Sequence, residues 1–231
     1  MASRNSIKVY LEDSFYHLYN RGVEKRNIFL DDQDYAVFLS YLQTYLLPKD
    51  EKTLRATLIS QTSSRHEKDQ SLKLLNLKNY SGDIELLCYA LLPNHFHLLI
   101  KQNCPVLPSF MNSLGTRYAM YFNRKYHRTG VLFQDVYKAV FVESDEQLLH
   151  LSRYIHLNPT EALGLPPLKW QEAKSPTSLP EHIGIKNTPW IQKHYILDYF
   201  SKTNPKDSYE NFLGMDYDLS FVTMSGIDIE D

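Results

Sequence analysis

Two histidines and a tyrosine are the residues of this 231-residue chain best placed for chemistry. In His95-Phe96-His97 the alternation of a strand puts both histidines on one face and Phe96 on the other, followed into the core by Leu98 and Ile100. Two imidazoles about 7 Å apart on one strand face can share a metal ion. The bland reading is two unrelated histidines on a half-buried strand. Further along, Glu146, His150, Tyr154 and Asn158 recur every four residues, a polar stripe along one helix. Leu148, Leu151 and Ile155 point elsewhere, and a solvated face with a partly buried tyrosine would give the same stripe.

Together the two elements suit metal-assisted phosphoryl transfer, which needs a cation on the phosphate and an in-line nucleophile. With a pKa near 10, only about 0.1% of a free tyrosine is phenolate at pH 7. A divalent cation and nearby arginine or lysine would favour that phenolate. Asn158 can add an amide oxygen to the nitrogens of His95 and His97. Such a set is too hard for a thiolate-type site and suits Mg²⁺ or Mn²⁺.

The elements that must position these groups follow from periodicity. Residues 14–19 alternate as a strand, ended by Arg21-Gly22. Asp31 or Asp32 caps a helix running to about Leu47, with Tyr35, Phe38, Leu39, Leu42 and Leu46 on its buried face and Pro48 as its stop. Residues 48–82 are mostly polar and read as an inserted loop or lobe, with a short helix near Leu72–Leu77. Ile84–Leu92 and His95–Lys101 form a hairpin through Pro93-Asn94. Pro105–Pro108 is a connector, Ser109–Lys125 a helix and Val131–Val142 a strand. Ser144 and Gln147 fit a capping box for a helix to about Leu157, where Pro159 forbids continuation. The order β-α-β-β-α-β-α predicts an α+β, ferredoxin-like sandwich, an antiparallel sheet with packed helices, plus a helical C-terminal extension. Residues 1–164 form the main domain, 165–215 an extension packing back on it, and 216–231 an acidic mobile tail.

Composition narrows the setting. With 43% hydrophobic and 23% charged residues the chain can build a core. It has no apolar run long enough for a membrane and no signal core, so a cytoplasmic protein is expected. Two cysteines are too few for a disulfide framework or a four-ligand zinc site. The net charge of −2 conceals a gradient: residues 205–231 carry −6, leaving +4 on residues 1–204. The stretch 110–140 is itself +4, and its cations alternate with Tyr118, Tyr121, Phe122, Tyr126 and Phe133. Cations with flat rings suit single-stranded nucleic acid, although a helix with a solvated basic face has the same composition.

The sequence resembles the single-tyrosine transposases of the HUH nuclease class, and most the branch associated with repetitive extragenic palindromes. The resemblance rests on Tyr19-Asn20-Arg21-Gly22 with Ile28-Phe29, on Leu92-Pro93-Asn94-His95-Phe96-His97-Leu98-Leu99, and on the run from Phe110 to Tyr118 with Tyr121-Phe122-Asn123. It continues through Arg128-Thr129-Gly130, Leu132-Phe133-Gln134 and Arg153-Tyr154-Ile155-His156-Leu157-Asn158-Pro159, about 140 residues in the family's order, with a later echo at Lys169-Trp170. It implies that His95, His97 and Asn158 are ligands to Mg²⁺ or Mn²⁺ and that Tyr154 is the nucleophile. The implied reaction is attack on single-stranded or hairpin DNA, leaving a 5′-phosphotyrosine link and a free 3′-hydroxyl that can later reseal. Arg21, Arg117, Arg124, Lys125, Arg128 and Lys138 are the expected DNA contacts, and a monomer or homodimer is expected. The length of residues 48–82 and the acidic tail depart from the family pattern. A hairpin-binding regulator without cutting activity is the alternative, and a hydrolase using metal-activated water is a third. The intact His95, His97, Tyr154 and Asn158 argue against the second, and the lack of a carboxylate beside the histidines against the third.

Overall fold

Alternation along β1 (Ser14–Arg21), β2 (Ile84–Leu92) and β3 (His95–Gln102) gives each strand two unlike faces, and a short β4 (Lys138–Phe141) completes the sheet. The computed structural model describes residues 10–215. The strands lie in the order β2-β3-β1-β4 with every pairing antiparallel, so the two strands carrying the site sequences are central. This is the ferredoxin-like arrangement expected.

One face is covered by α1 (Asp32–Leu46) and, after an insertion of α2 (Glu51–Ile59) and α3 (Arg65–Asn76), by α4 (Leu107–Lys125). Phe38, Leu42 and Tyr45 of α1 and Phe110, Leu114, Tyr118 and Phe122 of α4 join Phe96, Leu98 and Ile100 of β3 in one apolar core. Phe38 sits 5.1 Å, ring to ring, from both Phe96 and Tyr118. The Tyr118 hydroxyl donates to Ile28 O at 2.6 Å, so its one polar atom is satisfied.

The other face is covered by α5 (Asp145–Glu161), with Leu148, Leu151 and Ile155 packed on Leu87, Ala90, Leu92 and Leu99. Ser144 Oγ accepts from Gln147 N at 3.2 Å, and Gln147 Oε1 accepts from Glu143 N at 2.6 Å, which fixes the start of this helix. β2 has an irregularity between Leu86 and Cys88, so that Ile84 and Leu86 face α1 and α4 while Leu87 and Cys88 both face α5.

Beyond α5 the chain continues through α6 (Leu179–His182), α7 (His194–Leu197) and α8 (Tyr209–Gly214). It runs along the outer edge of β2: Leu91 N donates to Pro176 O, Ser178 N to Tyr89 O and Gln192 N to Leu86 O, at 2.8–3.0 Å. An edge that would otherwise invite a foreign strand is thereby occupied.

Three expectations need correction. The strand over Val131–Val142 is real only for Lys138–Phe141. The preceding residues spend their backbone bonds on the turn after β1, with Val23 N donating to Leu132 O and Gln134 N to Arg21 O, and Val131 and Val136 stand 69% and 65% exposed. Helix α5 runs through Pro159 to Glu161. A proline this near the end forfeits one helical bond, and its buried ring keeps packing contact. Residues 48–82 hold two capped helices in place of a loop with one: Asp50 accepts from Thr53 N, and Ser64 with Glu67 forms a full capping box. The acidic tail, residues 216–231, lies outside the described residues, as do residues 1–9. Among the described residues, no helix is long and apolar enough to cross a membrane.

Candidate active site

The pairing of β1 with β3 sets Tyr19 opposite His97 and Arg21 opposite His95, on the face covered by α5. The turn before His95 is locked to the turn after β1. Gly22 N donates to Asn94 O at 2.8 Å, and Ile28 N and Phe29 N donate to Pro93 O at 2.7 and 3.0 Å. A Cβ on Gly22 would lie 2.2 Å from Arg26 O, so only glycine allows this approach.

Each histidine has one nitrogen held from behind. His95 Nδ1 lies 2.6 Å from Asn94 Oδ1, which accepts from it and leaves Nε2 as the lone-pair nitrogen. His97 Nδ1 lies 2.9 Å from Nε2 of His17, a fully buried residue of β1. With His97 donating in that bond, its Nε2 carries a lone pair, and this atom is buried without a partner. Asn158 lies beside His95, and its Oδ1 is also buried without a hydrogen bond. The rings of His95 and His97 are 4.9 Å apart, and the Tyr154 ring stands edge-on to His97 at 5.5 Å. Tyr154 is 1% exposed. The expected quartet of His95, His97, Tyr154 and Asn158 is thus gathered within one chain.

The electrostatics keep the imidazoles neutral. Burial, with the nearby Arg21 charge, pushes His95 down to about 4. Burial pushes His97 well below its ordinary value, with His17, His95 and Arg21 adding to the effect. Burial alone takes His17 to about 3. Neutral imidazoles, with His97 Nε2 unpartnered and the Asn158 amide beside His95, form an N,N,O donor set that fits a divalent cation. Left bare, each buried orphan atom costs about 1–3 kcal/mol.

The basic residues separate by circumstance. Arg21 is at the site, its charge felt by both histidines. Lys125 is 21% exposed and ion-paired with Asp31 at 2.7 Å and Asp34 at 2.8 Å. Arg117 lies 3.8 Å over the Tyr41 ring, and Arg128 donates to Asn123 Oδ1 at 2.9 Å. Arg124 and Lys138 are exposed. Sequence reasoning missed His17. Its alternation with Tyr19 and Arg21 was visible, but only the β1–β3 register brings it diagonally against His97.

Comparison with known proteins gives a family likeness over part of the chain. Residues 56–158 match the model of the family described as "Transposase IS200 like", a span that contains His95, His97, Tyr154 and Asn158. No curated protein matches. Among solved structures, the chain is similar to a REP-associated tyrosine transposase bound to a REP hairpin, at a TM-score of 0.46 and 10% identity, over 82% of this chain and 98% of that one. It is also similar to a candidate transposase from Deinococcus radiodurans R1, at a TM-score of 0.28 and 17% identity, over 65% of this chain and 95% of that one. At such scores neither likeness assigns a role to any residue here. The matched span holds both the strand histidines and the tyrosine of α5, and over residues 56–158 this chain is similar to the IS200-like transposases.

Proposed function

We propose that the protein cuts and rejoins single-stranded or hairpin DNA through a covalent 5′-phosphotyrosine link to Tyr154. The observation that carries this reading is the Tyr154 ring 5.5 Å from His97 in the same chain, beside a buried donor set with unpartnered His97 Nε2 and Asn158 Oδ1. His95, His97 and Asn158 would hold Mg²⁺ or Mn²⁺. When bound, such an ion supplies the positive charge that neutralises the scissile phosphate and favours the phenolate. Arg21 adds a fixed charge beside it. The Tyr154 oxygen loses its proton and attacks phosphorus; the bond from phosphorus to the 3′ oxygen breaks, and that oxygen leaves as a 3′-hydroxyl. In the reverse step a 3′-hydroxyl attacks the phosphotyrosine and restores the phenol. The bond energy is kept in the link, so ATP is not needed. Because Tyr154 is buried, the tyrosine helix or the chain over it must shift to admit a phosphate.

The test is a labelled single-stranded hairpin incubated with Mn²⁺ and run on a denaturing protein gel. Wild type gives a DNA-linked protein band, Tyr154→Phe gives none, and His97→Ala gives none through lost metal. A linked band in Tyr154→Phe would falsify the tyrosine mechanism. Hairpin binding without any linked band in the wild type would mark a regulator that does not cut.

A further inference from the structure

A second group of potential metal ligands lies on the same side of the sheet, beyond the tyrosine. Cys88 of β2, His156 of α5 and His182 of α6 are all buried, and their ligand atoms lie within 4.8 Å of one another. Three parts of the chain 26 to 94 residues apart supply them. Cys88 Sγ lies 3.7 Å from His182 Nε2. A tetrahedral zinc ion, with bonds of about 2.3 Å to sulfur and 2.0–2.1 Å to nitrogen, sets those two atoms roughly 3.6 Å apart. His182 is already oriented for the purpose: its Nδ1 donates to Ser178 O at 2.9 Å, so Nε2 presents its lone pair to the sulfur. A backbone carbonyl behind the second nitrogen is the usual support of a ligating histidine. His156 bonds two hydroxyls, Tyr209 at 2.7 Å and Ser178 at 2.9 Å, and its ring centre is 4.5 Å from that of His182. Turning toward the other two ligands exchanges one of those hydroxyl bonds for a metal bond. A fourth ligand, the displaced hydroxyl of Tyr209 or Ser178 or a water, would complete the tetrahedral set.

We propose that Cys88, His156 and His182 form a structural zinc site that clamps the C-terminal extension to the sheet edge and to the tyrosine helix. One thiolate with two imidazoles is a zinc-type donor set, softer than the N,N,O set at His95 and His97. Binding releases the Cys88 thiol proton, and both imidazoles bind as neutral rings. The position of His156, two residues past Tyr154, gives the clamp a purpose: it would tie the extension to α5 next to the tyrosine. The proposal is independent of the reading of Tyr154 as a nucleophile.

The full chain, purified without chelator, is expected to carry one zinc ion by elemental analysis. Zinc replaced by Co²⁺ should show a thiolate-to-cobalt charge-transfer absorption. Both signals should persist in the His95→Ala/His97→Ala double variant and in Cys104→Ser, which removes the other, exposed cysteine. They should vanish in Cys88→Ser, and His182→Gln should weaken zinc binding by at least about a hundredfold. Release of one proton per zinc in weak buffer should accompany binding. Folded wild-type protein with no zinc and no thiolate band overturns the proposal, and this arm needs no variant to fold. Zinc lost with the His95/His97 pair, or kept at full affinity in Cys88→Ser, overturns it equally. DNA linkage by Tyr154 can fail or succeed without changing any of these readouts.

Discussion

The two faces of the sheet are built on different principles. Toward α1 and α4 the interior is aromatic and aliphatic, and hydroxyls there, such as those of Tyr118 and Tyr45, find a partner. Toward α5 the interior holds His17, His97, His156, His182, Cys88 and Ser178, and the orphan atoms His97 Nε2 and Asn158 Oδ1 lie there too. A face made only for stability would avoid such groups, since each unsatisfied atom costs free energy that hydrocarbon would not. The difference teaches where to look for function: one side holds the domain together, and the other gathers the buried polar groups on which the proposed chemistry rests.

Substitutions can break that comparison. The largest stability effect is expected on the apolar face, where Phe38→Ala should lose about 3–5 kcal/mol in denaturant unfolding. A loss below about 1 kcal/mol would show that this face does not carry the core. Between pH 7 and 4.5 acid should act chiefly through the histidines of the other face, the paired Asp31 and Asp34 near α1 protonating only at lower pH. In the unfolded chain a histidine binds a proton near pH 6.5. In the folded chain burial holds His95 and His182 near 4 and His17 near 3. Above pH 6.5 both forms are neutral and this stability is complete. Between 6.5 and about 4 the unfolded chain binds protons that the folded chain refuses, so stability falls as pH falls. Denaturant midpoints of metal-free protein from pH 7 to pH 4.5 should decline in wild type and Phe38→Ala alike; a flat profile would contradict the buried-histidine account.

The next effect is narrower. His17→Ala removes the partner of His97 Nδ1, and Mn²⁺ affinity should drop by about tenfold to a hundredfold, with His17→Gln recovering part of it. Unchanged affinity in a titration would reduce His17 to packing. The smallest effect belongs to the start of α5. Ser144→Ala should cost about 1 kcal/mol by removing the acceptor for Gln147 N, measured as a lower unfolding midpoint.

Much of the apolar face was legible in the sequence because local spacing determines it. The alternation of Phe96, Leu98 and Ile100, and the helical spacing of Phe38 and Leu42, need no knowledge of distant partners. The shared strand face of His95 and His97 was legible for the same reason, whereas the stripe of Tyr154 and Asn158 read equally as a solvated helix face and stood out only through the family resemblance. What was hidden depends on pairing across the chain. His17 acquires meaning only from the β1–β3 register. Residues 131–137 looked like a strand, yet the turn after β1 claims their backbone bonds. The helices of 48–82 were disguised because α2 buries no residue, so no apolar stripe announced it. Pro159 misled because a rule for helix interiors was applied to a final turn.

The irregularity at Leu87 has a consequence for how such a site can arise. A strand reads its residues out alternately to two sides, as a two-valued code, and the extra residue shifts the reading frame. Counted by twos from Ile84, Cys88 belongs with Leu86 among the aromatics, yet it faces His182. No point substitution moves a side chain across a sheet, but one inserted residue does so for every later position in the strand. The thiol's place among the histidines therefore depends on the count of residues along the strand as much as on the residue type.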